Sequence, residues 1–153
     1  MDSSLDKKYS LDSLMPLIRE SLALGQSVKL SPRGVSMLPM LRQGIDRVVL
    51  SPVQGPLSKY DLPLYRRDDG HYVLHRIVKT GDTLTCVGDN QFALERGLRH
   101  DQMIAVVTSF YRGEREIRVD SLGYRCYCRF WHYSRPVRYV WRRGKGLLRR
   151  ILK

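Results

Sequence analysis

Ser36 lies in a segment whose residue types could present a nucleophile. The segment reads Gly34-Val35-Ser36-Met37-Leu38-Pro39 and directly follows a predicted strand. A serine between a glycine and a proline is typical of a tight turn. Such a turn can expose the hydroxyl and leave the serine backbone N–H free to bind an oxyanion. Ordinary turns show the same pattern, so this segment alone indicates no function.

His75 is the second residue with suitable chemistry, and it lies in a predicted strand at 71–79. Because side chains alternate along a strand, Val73, His75 and Ile77 are predicted to share one face. A histidine in that position is either a core residue bonded to a carbonyl or a neutral imidazole acting as a general base, since its ordinary pKa is about 6.5. The residues leave both interpretations open.

Two carboxylates follow His75 and could orient its imidazole. Asp89 belongs to the turn Gly88-Asp89-Asn90, and Glu95 lies six residues after it. As purely structural residues, Asp89 would close a turn and Glu95 would pair with a neighbouring arginine. Together with a serine and a histidine, either carboxylate would complete the set of groups found in a Ser-His-acid triad.

The elements that must position these groups are predicted from the spacing of apolar residues. One amphipathic helix is predicted to end at Gly25, with Ser13 as its N-cap so that Pro16 falls in the first turn. Short β-like runs follow at 27–31, 46–51, 61–67, 71–79, 82–87 and 103–111. No helix is predicted between them. We therefore expect a mainly β, β-rich α+β fold with coiled antiparallel sheets rather than parallel βαβ units.

Composition limits the class of protein. The 153 residues are 42% hydrophobic, which is enough to bury a core and argues against wholesale disorder. Three cysteines with no CxxC spacing argue against a disulfide scaffold, a zinc knuckle or a thioredoxin-like site, and no metal site is predicted. No apolar run approaches the roughly 18 residues that span a bilayer, and the first residues do not resemble a secretory signal. We expect a cytoplasmic protein.

Positive charge is concentrated at the C-terminal end. Residues 112–153 carry 13 Lys and Arg against three acidic residues, which accounts for +10 of the net charge of +12. This asymmetry predicts three parts: an N-terminal extension and helix at 1–25, a β domain at 26–111 and a basic amphipathic tail at 112–153. A tail of this charge favours phosphate-bearing partners.

Apolar residues in the tail recur at three- and four-residue spacings between the cations. Pro136 and Gly144 interrupt the pattern, which predicts two helical pieces. The tail could lie on an anionic membrane at the inner face, bind nucleic acid, or pack its apolar stripe on the sheet. The first of these is favoured. The residues expected to meet the membrane or another anion are Trp131, Arg138, Trp141, Arg142, Arg143, Lys145, Arg149 and Arg150.

Taken in order, these segments resemble the type I signal peptidase family, in its serine–histidine branch rather than its serine–lysine branch. The resemblance covers residues 30–110 and rests on Gly-x-Ser-Met-x-Pro, two aspartates that lead strands, and then His-Arg-Ile and Gly-Asp-Asn. The matching positions begin at Gly34, Asp46, Tyr60, His75 and Gly88. It implies antiparallel sheets in a partly open barrel, and chemistry that needs no metal or organic cofactor.

The resemblance also implies residue roles. Ser36 falls on the nucleophile and His75 on the general base, and the Ser36 backbone N–H would bind the oxyanion. The family's acidic position falls on Glu95, whereas Asp89 matches the aspartate of Gly-Asp-Asn, so both remain candidates. The implied function is a serine endopeptidase that cleaves a peptide or precursor protein through an acyl-enzyme, without the family's usual transmembrane anchor. The alternative is an inactive relative that binds peptide, lipid or nucleic acid.

Overall fold

The computed structural model describes residues 11–151, with side chains as far as Lys145. Within that range the chain forms three α-helices, nine strands and one short 3-10 helix at His100–Gln102. The helices are α1 (Leu11–Ala23), α2 (Leu122–Tyr133) and α3 (Arg135–Ile151). The strands are β1 (Val28–Leu30), β2 (Arg47–Pro52), β3 (Pro63–Arg66), β4 (Tyr72–Leu74), β5 (Arg76–Lys79), β6 (Leu84–Val87), β7 (Glu95–Leu98), β8 (Met103–Arg112) and β9 (Arg115–Arg118).

The strands form two antiparallel sheets. The larger sheet has the order β1-β2-β8-β3-β4, with β9 also paired to β8, and the smaller sheet has the order β5-β6-β7. Neither sheet closes into a barrel in the part of the chain described. The expectation of a β-rich α+β fold with antiparallel sheets is confirmed. It follows from short β-prone runs joined by turns, with no crossover helix between them.

Two apolar cores lie beneath these sheets. The larger core packs one face of α1 and one face of α2 against the larger sheet, with Met15, Ile18, Tyr124 and Cys128 all buried. The smaller core gathers Tyr65, Ile77, Leu84, Cys86 and Leu98 around the second sheet. Residues at the junction of the two sheets therefore have the larger core on one side and the smaller core on the other.

The predicted strand at 71–79 is two strands, which corrects the sequence-based expectation. β4 pairs with β3 in the larger sheet, β5 pairs with β6 in the smaller sheet, and His75 lies between them. Val73 and Ile77 still pack into the same smaller core, although no continuous strand joins them. His75 is instead placed at the point where the chain passes from one sheet to the other.

α1 begins earlier than predicted and contains Pro16 inside it. Proline removes the hydrogen bond that its amide would donate to the carbonyl of Asp12. Asp12 is exposed, so water can replace that bond. The burial of Met15, Ile18 and Leu22 keeps the helical face in register despite the proline.

The predicted boundary between residues 111 and 112 falls inside a β-hairpin. β8 continues to Arg112 and pairs with β9, with Tyr111 opposite Glu116 and Arg112 opposite Arg115. The polar residues of β9 lack a strand signature, and their pairing with β8 decides their conformation. The body then continues into α2, whose Tyr124 and Cys128 belong to the larger core.

The tail is helical as predicted and forms α2 and α3, which meet at Ser134, but Pro136 and Gly144, the residues predicted to interrupt it, both lie within α3. Ser134 is itself in the helical region, its N–H donates to the Phe130 carbonyl, and its carbonyl accepts from Arg138. The helical path is thus nearly continuous across the junction. In the described part of the chain, no helix combines the length and apolar character required to cross a bilayer.

Candidate active site

Ser36 lies in a turn-rich loop between β1 and β2 that is held at several points. Gly34 adopts a φ of 87°, which favours glycine, and its N–H donates to Gln43 Oε1 at 2.9 Å. On the other side of Ser36, Met37 and Met40 are buried in the larger core. The Leu38–Pro39 peptide bond is cis. Anchors on both sides leave the half-buried Ser36 at the surface of the loop.

The Gly88-Asp89-Asn90 turn fastens the Ser36 loop from the opposite side. The Asn90 backbone N–H donates to the Ser36 carbonyl at 2.8 Å, and Asn90 Nδ2 donates to the Val35 carbonyl at 3.1 Å. Among the residues described, the Ser36 backbone N–H has no hydrogen-bond partner. This free donor adjacent to a serine hydroxyl is the arrangement that an oxyanion site requires.

Gly88 lies where the Ser36 loop and His75 meet. A side chain at this glycine would place its Cβ 2.6 Å from the Ser36 carbonyl oxygen and 3.1 Å from His75 Nε2. The first of these separations is shorter than any tolerated contact, and the atom it meets is backbone. Glycine is therefore required here because it permits the close approach of the two candidate catalytic segments.

Glu95 orients the His75 imidazole. Its Oε1 lies 2.8 Å from His75 Nδ1. The negative charge at this distance favours a proton on Nδ1. Tyr65 donates its own proton to Glu95, so its hydroxyl oxygen can only accept at Nδ1, and both effects favour the tautomer whose lone pair is on Nε2. Among the described residues Nε2 has no hydrogen-bond partner. The histidine is thus set to accept a proton at the nitrogen nearer Gly88 and the Ser36 loop.

Glu95 is itself held by two further donors from the larger sheet. Tyr65 Oη donates to Glu95 Oε2 at 2.9 Å, and Arg67 donates to the same oxygen through Nε at 2.8 Å and to Oε1 through Nη2. Burial alone would raise the pKa of Glu95, but the bonds from Arg67 and Tyr65 and the charge of His75 bring it below its ordinary value. Glu95 is therefore ionised at neutral pH.

His75 is buried, and this sets its charge. Burial lowers the pKa of His75 below its ordinary value, and the attraction of Glu95 only partly opposes that effect. The imidazole is therefore neutral at pH 7 and can act as a base. Tyr65 Oη also lies 3.3 Å from Nδ1. Burial and then the charge of Glu95 raise the pKa of Tyr65, so its hydroxyl stays protonated and donates to Glu95.

Asp89 does not contact His75, which corrects its inclusion among the candidate orienting groups. Its two carboxylate oxygens accept from Arg76 Nε and Nη2, each at 2.8 Å, and Tyr127 Oη donates to it at 2.9 Å. Asp89 and Arg76 are both almost fully buried. Arg76 also contacts Tyr124 and Cys128 of the larger core, whereas His75 contacts Glu95, so Asp89 is held on the Arg76 side.

Ser36 and His75 line one cleft of about 230 Å³, which Arg67, Tyr72 and Gln91 also border. No hydrogen bond joins the Ser36 hydroxyl to His75 among the residues described. In enzymes without substrate, catalytic hydrogen bonds are often long and tighten when the ligand binds. A second, more apolar pocket of about 200 Å³ continues from the cleft and shares Pro32, Arg33, Tyr72 and Leu74 with it.

Three of the tail residues predicted to meet a membrane or another anion donate hydrogen bonds to the body. Trp131 Nε1 and Arg138 Nη1 donate to the Asp89 carbonyl at 2.7 and 3.3 Å, and Arg142 donates to the Asn90 carbonyl at 3.2 Å. Three others are exposed: Trp141, Arg143 and Lys145. The side chains of Arg149 and Arg150 lie outside the described residues.

Tyr65, Arg67 and Arg76 are site residues that the sequence did not single out. Tyr65 and Arg67 are two positions apart at the end of β3, so strand alternation directs both toward the same side. Their two-residue spacing was the only feature of the sequence that could have pointed to these two residues as part of the site. Their partner Glu95 begins β7, a polar strand that was not predicted, and it is brought near β3 only by tertiary contacts.

The described residues contain no group of three His, Cys, Asp or Glu side chains placed to hold a metal ion. The chemistry available to the cleft is that of a hydroxyl, a neutral imidazole, an ionised carboxylate and a free backbone N–H. Comparisons with protein-family models, with curated proteins and with solved structures find no match for this chain.

Proposed function

We propose that the protein is a serine endopeptidase of the type I signal peptidase kind, acting through Ser36 and His75 with Glu95 as the orienting acid. The observation that carries this proposal is the contact of 2.8 Å between Glu95 Oε1 and His75 Nδ1. It assigns the proton to Nδ1 and leaves Nε2 as a base beside the Ser36 loop. Tyr65 and Arg67 hold the same carboxylate, which keeps it in place against His75.

The reaction is acyl transfer. His75 Nε2 removes the proton from Ser36 Oγ as that oxygen attacks a peptide carbonyl, and Glu95 stabilises the imidazolium that results. The Ser36 backbone N–H donates to the oxyanion. The imidazolium then returns the proton to the leaving amine, and the C–N bond breaks. Water, deprotonated by the same imidazole, hydrolyses the acyl-enzyme and restores Ser36.

The substrate class is a peptide or a precursor protein. The apolar pocket next to the cleft could receive an apolar side chain of that substrate. We place the reaction in the cytoplasm, where the protein would reach a membrane-bound precursor from the inner face of the membrane. Three free cysteines, one of them exposed, support a reducing compartment.

A serine-directed acylating reagent of the fluorophosphonate or β-lactam type tests this function. We expect one covalent adduct, located at Ser36 by mass spectrometry, and none in Ser36→Ala. Ser31→Ala is the matched control, because Ser31 lines the neighbouring pocket and its loss should leave labelling unchanged. Absence of any adduct in the folded protein would favour the alternative of a peptide-binding relative without catalysis.

The pH dependence of labelling should follow the neutral fraction of His75. Burial lowers the pKa of His75, so we expect the labelling rate to be nearly constant at neutral pH and to fall in acid with a midpoint below 6.5. His71→Gln, which removes an exposed histidine, should leave the profile unchanged. A midpoint above 6.5 would show that the titrating base is not this buried imidazole.

A further inference from the structure

The outward face of α2 and α3 carries an apolar stripe that the described chain does not cover. Its members are large side chains that are mostly exposed: Leu122 77%, Phe130 69%, Tyr133 69%, Val137 71%, Val140 69% and Trp141 63%. From Phe130 onward they recur every three or four residues, which places them on one side of a helix. Because the helical path continues through Ser134, the stripe runs across both helices.

The opposite side of the same helices is fixed to the body. Trp131, Arg138 and Arg142 donate to the carbonyls of the Asp89–Asn90 turn, and Tyr124 and Cys128 are buried in the core. The helices therefore cannot turn the stripe inward without breaking these contacts. The stripe is a stable outer surface of the folded protein.

Cations flank the stripe and have no acidic neighbours of their own. Residues 121–153 contain no Asp or Glu. Arg125, Arg129, Arg143 and Lys145 are all exposed, and in the described chain no carboxylate lies within salt-bridge distance of any of them. Lys145 Nζ lies 3.7 Å from the centre of the Trp141 ring. This surface therefore combines uncovered apolar area with uncompensated positive charge.

We propose that this face of α2 and α3 docks onto an anionic lipid bilayer, with the stripe in the headgroup region and the cations on lipid phosphates. A helix of this pattern lies in the plane of the interface, and Trp and Tyr favour that depth. Nucleic acid fits less well, because Leu122, Val137 and Val140 can neither stack on bases nor bind phosphate. A second copy would bring two strongly cationic faces together.

Docking would place the turn that holds the Ser36 loop about one helix diameter, ~10 Å, from the bilayer surface, because the inner side of the helices contacts that turn. The lipid interaction itself does not depend on Ser36 chemistry. Ser36→Ala should therefore bind vesicles as the unaltered protein does, which separates failure of this proposal from failure of the peptidase proposal.

Vesicle flotation of the full-length protein tests the docking surface. We expect the protein to float with vesicles of phosphatidylcholine and phosphatidylglycerol, and to remain largely unbound with phosphatidylcholine alone. Binding should weaken but not vanish at physiological salt, where the Debye length is about 8 Å, because apolar insertion is not screened.

Two pairs of variants locate the contact. Val137→Ser with Val140→Ser removes apolar area, and Arg143→Glu with Lys145→Glu reverses charge. Each exposed cation contributes about a fivefold factor near an anionic surface, so we expect the charge pair to weaken binding by at least about tenfold. Ile45→Ser and Lys79→Glu alter exposed residues of the body and should have little effect. Thermal unfolding checks that every variant is folded.

Several results would overturn the proposal. These are equal flotation with neutral and anionic vesicles, no flotation with either, or flotation that both pairs of stripe variants leave unchanged. Tight binding to RNA that removes the protein from vesicles, with a steep salt dependence, would assign the face to nucleic acid. Dimers that dissociate in Val137→Ser with Val140→Ser would assign it to a second copy of the chain.

Discussion

Replacing His75 by glutamine is expected to slow acylation of Ser36 by about 10²–10⁴-fold, because none of the other described side chains that line the cleft can remove the hydroxyl proton at neutral pH. Glu95→Gln should produce a loss of similar order. The neutral amide cannot stabilise the imidazolium, and its NH₂ can hold the wrong tautomer. The measurement is the second-order rate of labelling by the serine-directed reagent at pH 7.

A pH profile separates the orienting role of Glu95 from a purely structural one. The negative charge of Glu95 raises the pKa of His75 against the effect of burial, so Glu95→Gln should move the labelling midpoint to still lower pH. His71→Gln and Glu114→Gln are the matched controls, because both alter exposed side chains away from the cleft. Labelling that survives in His75→Gln at the full rate would remove the general base from the proposal.

Replacing Arg76 by methionine is expected to lower the free energy of unfolding by about 3–5 kcal/mol. Arg76 is 2% exposed and binds both oxygens of Asp89, which is 4% exposed. The variant would leave the Asp89 carboxylate buried and without its cation. Arg76 also donates to Tyr124 Oη at 2.8 Å and to Cys128 Sγ at 2.9 Å, so the attachment of α2 should loosen as well.

Urea unfolding at pH 7 measures this effect, and Arg118→Met provides the control. Arg118 pairs with Asp120 at 2.7 Å, but both are exposed, so the loss of stability should be far smaller than for Arg76→Met. The double variant Arg76→Met with Asp89→Asn should recover part of the stability, because it no longer buries an unpaired charge. Equal decreases in the free energy of unfolding for Arg76→Met and Arg118→Met would show that the buried Arg76–Asp89 pair stabilises the fold no more than an exposed ion pair does.

The strands that carry β-branched and apolar residues could be predicted from the sequence, because their own composition favours an extended, half-buried conformation. β2 and β8 were found in this way, and so was the helical spacing of α1 and of the tail. β7 and β9 could not be found. Their residues are polar, and only pairing with β6 and β8 makes them strands.

The sequence by itself determined the candidate nucleophile, the candidate base and two possible acids, because residue type limits which groups can do acyl transfer. It also showed where the positive charge lies. Only the tertiary structure decided between the acids. The chain changes sheets at His75, which places Glu95 of β7 against Nδ1, while Arg76 faces the other way and binds Asp89. Contacts between strands that are far apart in the sequence determine which carboxylate reaches His75, and no local pattern of residues encodes those contacts.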